Sequence, residues 1–367
     1  MNILFTSLAG QDLTQSLHYV RVMERMGHKV FRFVLAHPEE NLTRGFAVEP
    51  GYALETPLEA FVRLAGFEPD LLLYIEPGGL LPRGLEKAPF PTAAILCDTH
   101  TDLAIRLNYA RFFDHVFLYH CNYVKYFTGH PAGFVHWLPY ACDLELFKPA
   151  PDPQERPYEV AFVGQLNSDK ARRRILKAIG QKYSLNPQKY YLQSEIPGVY
   201  SQAKIVLNMP LADDLNFRTF EAMSCGALLL TRRIANGQEL LFEEDRHYVA
   251  YSDEQEMMDK IAYYLDYPAA REAIAAAGLR EVQENHRLEQ RVEELLGKVQ
   301  ANPGQGAPLR NYSQAQVNRQ YAWYYELMRR SYPMPDFALV KQARAKKQPW
   351  LPLLLPALRS VFRSIFR

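Results

Sequence analysis

Short apolar runs recur along the first part of the chain, each followed by a segment whose apolar positions fall at helical spacing. Ile3–Thr6 is the first run. Thr14–Met26 follows it, with Leu17, Val20 and Met23 near one helical face and Gly27 placed to cap the end. Val30–Leu35, Leu71–Ile75, Ala93–Leu96, Val116–Tyr119 and Phe134–Leu138 predict further strands. Strands that are apolar on both faces and alternate with helices predict a parallel sheet covered on both sides.

The pattern restarts after a proline-rich crossing, Pro139–Pro157. Val160–Val163, Tyr190–Leu192, Ile205–Leu207, Leu228–Leu230 and Tyr248–Ala250 predict a second series of strands. Ser252 and Gln255 have the spacing of a capping box for a helix through Leu265. Residues 269–298 read as helices, 301–308 as a Pro/Gly/Gln/Ala linker, and 312–330 as an aromatic packing surface carrying Tyr321, Trp323, Tyr324, Tyr325 and Leu327. Two successive α/β units predict two Rossmann-like domains facing a cleft, with ligands beyond the carboxyl ends of the strands. The expected division is an N-terminal domain over 1–138, a linker over 139–158, a second domain over 159–300, and a C-terminal helical tail over 301–367.

Length supports that division, because 367 residues exceed one ordinary core. Hydrophobic content of 48% with 23% charged residues is that of a soluble globular protein, and a net charge of +1 gives no push toward nucleic acid. The sum hides an asymmetry. Residues 301–367 carry 11 Lys/Arg against Glu326 and Asp336, a net of +9, so residues 1–300 are near −8. Residues 337–367 hold seven Lys/Arg and no acid. Leu358, Val361, Phe362, Ile365 and Phe366 share one helical face there, and Arg359, Arg363 and Arg367 form a row. That is the composition of an interfacial helix for an anionic membrane surface.

The four cysteines show no CxxC or Cys/His metal spacing, which fits small buried hydrophobes in a reduced compartment. His18, His28, His115, His120, His130 and His136 show no metal constellation, and no metal is expected. Met1–Ser7 lacks the features of a signal peptide, and no run reaches the roughly 18 apolar residues of a membrane span. The expected location is the cytoplasm, with the basic tail a candidate for peripheral contact with the inner face of the membrane.

The candidate chemistry centres on Glu221, which is expected to open a helix. Asp213 stands eight residues before it. A loop leading into a helix there would bring both acids to a helix mouth whose unpaired N–H groups suit a phosphate, while the carboxylates accept from sugar hydroxyls. Arg218 could face a phosphate or carboxylate bidentately. Gly226 would allow a tight return into the strand. Asp98 and His100 close the strand Ala93–Leu96 at its carboxyl end, where His100 could act as base toward an acceptor hydroxyl. Ser7-Leu8-Ala9-Gly10-Gln11, after the first strand, is not a GxGxxG loop.

Phe220–Thr231 resembles the donor-site segment of the GT-B glycosyltransferases of group 1, especially the CgeB-like group and its family-4 relatives, whose pattern is E-x7-E followed by A-M-x-C/S-G. Trp137–Pro149 resembles their interdomain segment, Val160–Leu166 the strand and glycine turn at Gly164 that open their second domain, and Ala203–Asn208 the strand before the donor acids. The resemblance covers roughly residues 90–295. It implies that Glu221 binds the ribose of a nucleotide sugar, that Asp213 stands where a first Glu contacts the donor sugar, and that Lys170 or Arg172–Arg174 holds the diphosphate. Gly164, Asn208, Arg218 and Gly226 complete the implied donor side, with Asp98 and His100 on the acceptor side.

The implied activity is metal-independent, hexosyltransferase-type transfer from a nucleotide-sugar co-substrate, without a further cofactor, to a saccharide, lipid-linked or protein acceptor. The alternatives are a nucleotide-sugar epimerase on the same fold and a non-catalytic scaffold in a polysaccharide assembly.

Overall fold

The computed structural model describes residues 1–8, 15–35, 56–76, 81–150 and 156–331, apart from 165, 167, 168 and 212. The basic tail, residues 9–11 and Gly78–Gly79 lie outside the described residues.

Six parallel strands form the first sheet: β1 (Asn2–Leu8), β2 (Lys29–Leu35), β3 (Leu71–Ile75), β4 (Thr92–Leu96), β5 (His115–Leu118) and β6 (Val135–Trp137), in the order β2-β1-β3-β4-β5-β6. Strands β3, β4 and β5 are buried throughout, as their unbroken apolar runs require when helices cover both faces. Helices α1 (Gln15–Arg25), α2 (Leu58–Ala65) and α3 (Leu103–Ala110) lie between the strands. The second sheet is also parallel, with β7 (Tyr158–Ala161), β8 (Ala203–Asn208), β9 (Leu228–Arg232) and β10 (Val249–Tyr251) in the order β10-β9-β8-β7.

Two expectations are corrected. Tyr190–Leu192 is not a strand: residues 186–192 form a loop, and Tyr190 is 84% exposed. Its aromatic residues suit a strand, but Pro187 just before them supplies no N–H to a ladder. The cap of α7 (Glu254–Asp266) is Asp253, which accepts from the Glu256 amide, while Glu256 reaches back to the Ser252 amide at 2.7 Å. Ser252 and Gln255 do not form the box.

Helices α4 (Lys170–Gly180), α5 (Ile196–Ser201) and α6 (Phe217–Ser224) follow β7 and β8, and α8 (Pro268–Asn285) follows α7. Helix α9 (Leu288–Ala301) then packs on α1 of the first unit. The crossing segment is anchored at the same place. Asp143 is buried and accepts from Arg25 at 2.9 Å, and Arg25 also meets Glu289 at 2.9 Å.

Beyond α9 the chain returns to the first sheet. Arg310 holds the buried Asp114 through two bonds, at 2.7 and 2.8 Å. Helix α10 (Gln314–Ser331) buries Tyr321 and Tyr324, which hydrogen-bond the backbone of residues 81–85. The aromatic run is a packing surface.

Candidate active site

A pocket of about 660 Å³ opens between the two sheets, within the size range of small-molecule sites. Its first-domain wall includes Asp98, His100 and Thr101 after β4; its second-domain wall includes Gly164, Arg172, Asp214, Arg218 and Glu221. The carboxyl ends of β4 and β7 therefore face one cleft, where the ligands of open α/β sheets are held.

Glu221 does not open its helix. Helix α6 begins at Phe217, and Glu221 is its fifth residue. The carboxyl is buried, and Gln193 Nε2 donates to its Oε1 at 3.2 Å. Burial pushes its pKa up to about 7, against the pull of the Arg218 charge and the Gln193 bond. At the mouth of α6, the extended Asn216 gives no side-chain cap; its Oδ1 accepts instead from Asn208 Nδ2 at 3.2 Å. The first-turn amides of α6 are thus not capped by that side chain, and Asn216 and Phe217 both line the pocket.

Arg218 is held from several sides. It donates to the Val163 carbonyl, to Asn208 Oδ1 at 2.6 Å and to the Tyr200 hydroxyl at 3.2 Å. Its guanidinium lies 4.8 Å from the centre of the Phe162 ring, and that of Arg172 lies 5.3 Å from the same ring. Arg172 also donates to the Met209 carbonyl at 2.5 Å. Burial, then the neighbouring Arg218 charge, lowers the Arg172 pKa. Two guanidinium groups thus stand together on the pocket wall, and the absent side chain of Gly164 leaves room for that of Arg218 and for the Phe162 ring. A Cβ at Gly164 would lie 2.8 Å from Arg218 Nη2.

The other expected residues fall as follows. Asp213 is not among the lining residues: its Oδ1 accepts from the Ala235 amide at 2.6 Å and its carbonyl from Asn236 at 3.0 Å. Asp214 lines the pocket in its place. Lys170, the first residue of α4, is exposed and is also not among the lining residues, whereas Arg172 is. Asn208 supports Arg218 from behind, and Gly226 turns the chain in the left-handed region at φ +69°. Sequence reasoning missed Gln193 because it read the preceding loop as a strand.

On the facing wall, Asp98 adopts φ +50°, in the left-handed region that few non-glycine residues enter. The turn is braced by buried Glu76, which accepts from the Cys97 amide at 2.9 Å and pairs with Arg106 at 3.1 Å. Burial pushes Glu76 up to about 7 despite Arg106. His100 and His120 stand edge to face with ring centres 4.8 Å apart. Burial, then His120, lowers the His100 pKa. His120, fully buried, bonds Thr99 Oγ1 through Nδ1 and Asp214 through Nε2, both at 2.9 Å. This chain of contacts ties the first unit to the second, and His120 was not singled out from the sequence as a site residue.

Residues 158–297 match the family described as glycosyl transferase-like. No curated protein matches the chain. Among solved structures, Anabaena HepE in complex with UDP and glucose is similar at a TM-score of 0.63 with 15% identity, over 82% of this chain and 100% of that one. Sucrose-phosphate synthase from Thermosynechococcus elongatus is similar at 0.55 with 13% identity, over 82% and 99%. An alpha-glucosyltransferase in complex with UDP-glucose and DNA containing an abasic site is similar at 0.61 with 12% identity, over 82% and 99%.

The fold is GT-B. The expectation of two Rossmann-like units facing a cleft is met. No helix among the described residues is long and apolar enough to cross a membrane.

Proposed function

We propose that the protein is a glycosyltransferase that moves a sugar from a nucleoside-diphosphate sugar to an acceptor hydroxyl. The observation that carries this reading is the placement of Arg172, Arg218 and the first turn of α6 on one pocket wall beside the buried carboxyl of Glu221. Negative charge grows on the leaving diphosphate as the glycosidic bond breaks, and preorganised guanidinium and N–H donors stabilise that charge without rearranging. Glu221 in its carboxylate form accepts hydrogen bonds from ribose hydroxyls, which replace the water lost on burial. The match of residues 158–297 to a glycosyl transferase-like family, and the UDP or UDP-glucose named with the HepE and alpha-glucosyltransferase structures, support the same reading.

The acceptor enters from the Asp98 and His100 side. His100, with its lowered pKa, is neutral at physiological pH and available as a base toward a hydroxyl. A saccharide or lipid-linked acceptor is the proposed class, the latter resting on the basic amphipathic composition of residues 337–367.

The test is ligand-induced thermal stabilisation with UDP-, GDP-, ADP- and TDP-sugars, on the wild type and on Glu221→Ala. Ligand at one hundred times its Kd adds about 2.7 kcal/mol of stability. One nucleotide class should raise the midpoint in the wild type and not in the variant. No shift with any donor would overturn the reading.

A further inference from the structure

Across the domain junction, His100, His120 and Asp214 each turn one ligand-type atom toward the others, all within 4.8 Å of one another. We propose that these three side chains form a binding site for a divalent transition-metal ion of the zinc type, with one coordination position left open to the cleft. The chemistry of the set selects the ion. Two imidazoles and one carboxylate suit zinc, cobalt or nickel, whereas calcium and magnesium seek oxygen-only shells. Three protein ligands plus an open position is the pattern of reactive zinc sites, as opposed to closed structural ones.

Two further observations point to a ligand here. Nδ1 of His100 is buried and meets no hydrogen-bond partner, although His100 itself is only half-buried at the pocket edge. A buried, unbonded imidazole nitrogen costs free energy unless something binds it. Behind the cluster, the far nitrogen of His120 is already fixed by buried Thr99 at 2.9 Å. That is the outer contact a ligating histidine needs, because it sets the tautomer and ring angle that aim Nε2 at the ion. The contact of His120 Nε2 with Asp214, at 2.9 Å, need open only slightly, while the widest separation in the set, up to 4.8 Å, closes by a small side-chain rotation as the ion binds. Ligand atoms around a four-coordinate zinc ion lie roughly 3.3 Å apart, as follows from zinc–ligand bonds of about 2.0–2.1 Å.

The position adds a consequence. His100 and His120 belong to the first unit and Asp214 to the second, so a bound ion clamps the two walls of the cleft together. The inference stands on side-chain geometry alone; where the ion is bound, His100 serves as its ligand, and the base role proposed for His100 belongs to the ion-free protein.

The experiment uses the full chain, treated with a chelator and then titrated with Co²⁺. A stoichiometric rise of the intense visible d–d absorption of a four-coordinate ion is expected, with displacement by Zn²⁺. The absorption should vanish in His100→Ala and in Asp214→Ala, two residues not fully buried, whose replacement leaves the core intact. Glu281→Gln, beside His247 and His286, should leave it unchanged. Absence of binding, retention of the bands in either of the first two variants, or their loss in Glu281→Gln overturns the proposal.

Discussion

Gln193 Nε2 donates to Glu221 Oε1 across 3.2 Å and is the one side-chain hydrogen bond among the causes that lower the pKa of that buried carboxyl. It does not offset burial, and the acid stays raised from 4.5 to about 7. The sign of the linkage follows. Above pH 4.5 the unfolded chain has lost this proton while the folded chain keeps it, so stability falls as pH rises from 4.5 to about 7. Glu221→Gln removes the effect. The wild type should lose up to ~3 kcal/mol more than the variant across that window, measured by urea denaturation at a series of pH values. Taking the difference cancels Glu76, which titrates in the same direction. Equal slopes for the two proteins would contradict the assignment.

Gly164 and Arg218 form a second testable pair. A methyl at position 164 meets both Arg218 Nη2 and the buried Phe162 ring at 2.8 Å, and the ring has no room to yield. Gly164→Ala should therefore weaken nucleotide-sugar binding and also lower stability by about 1–3 kcal/mol. Arg218→Met should raise Kd about 10–100-fold, the worth of a charge-assisted contact. Lys170→Ala, on the exposed start of α4, should change it less than about twofold. Calorimetric titration with the responsive donor checks all three.

Tyr321 accepts from the Gly84 and Leu85 amides at 3.1 Å each and donates to the Pro82 carbonyl at 3.0 Å. Tyr321→Phe leaves those amides without this partner and should cost about 1–3 kcal/mol in chemical denaturation. Nucleotide affinity should be unchanged, because α10 packs on the first unit and not among the residues lining the pocket.

Arg310 and Asp114 form a buried two-point pair. Arg310→Ala leaves the buried Asp114 carboxylate its Thr92 and Ala307 hydrogen bonds but takes away its opposite charge, and should destabilise by about 3 kcal/mol, seen as a lower midpoint with an unchanged denaturant slope. Arg246→Ala, which breaks an exposed pair with Glu243, should leave the midpoint where it was.

The alternation of strand and helix was legible because buried parallel strands are apolar throughout, a pattern that survives without any tertiary information. Leu71–Ile75 was readable to the residue for that reason. Tyr190–Leu192 misled because two tyrosines and a leucine have strand propensity, whereas their exposure is decided by what packs against them. Glu221, singled out from the sequence, does line the pocket, but its position in α6 was not legible. An acid beside a helix start can be a cap or a pocket wall, and only the course of the backbone separates the two.

Asp213 and Asp214 state the division most sharply. Adjacent acids are equivalent in sequence; the Ala235 amide and Asn236 claim the first and leave the second to the cleft. The sequence by itself determined two α/β units and an Asp and His at a strand end, because these depend on periodicity and local spacing; Glu221 and Arg218, singled out through the family resemblance, line the same pocket. Tertiary structure alone decided that α9 and α10 return to the first unit and that Arg172, not Lys170, faces the pocket. It alone brought His120 within 2.9 Å of a residue 94 positions away. Those outcomes depend on which surfaces bury each other, and that is fixed only when the whole chain has folded.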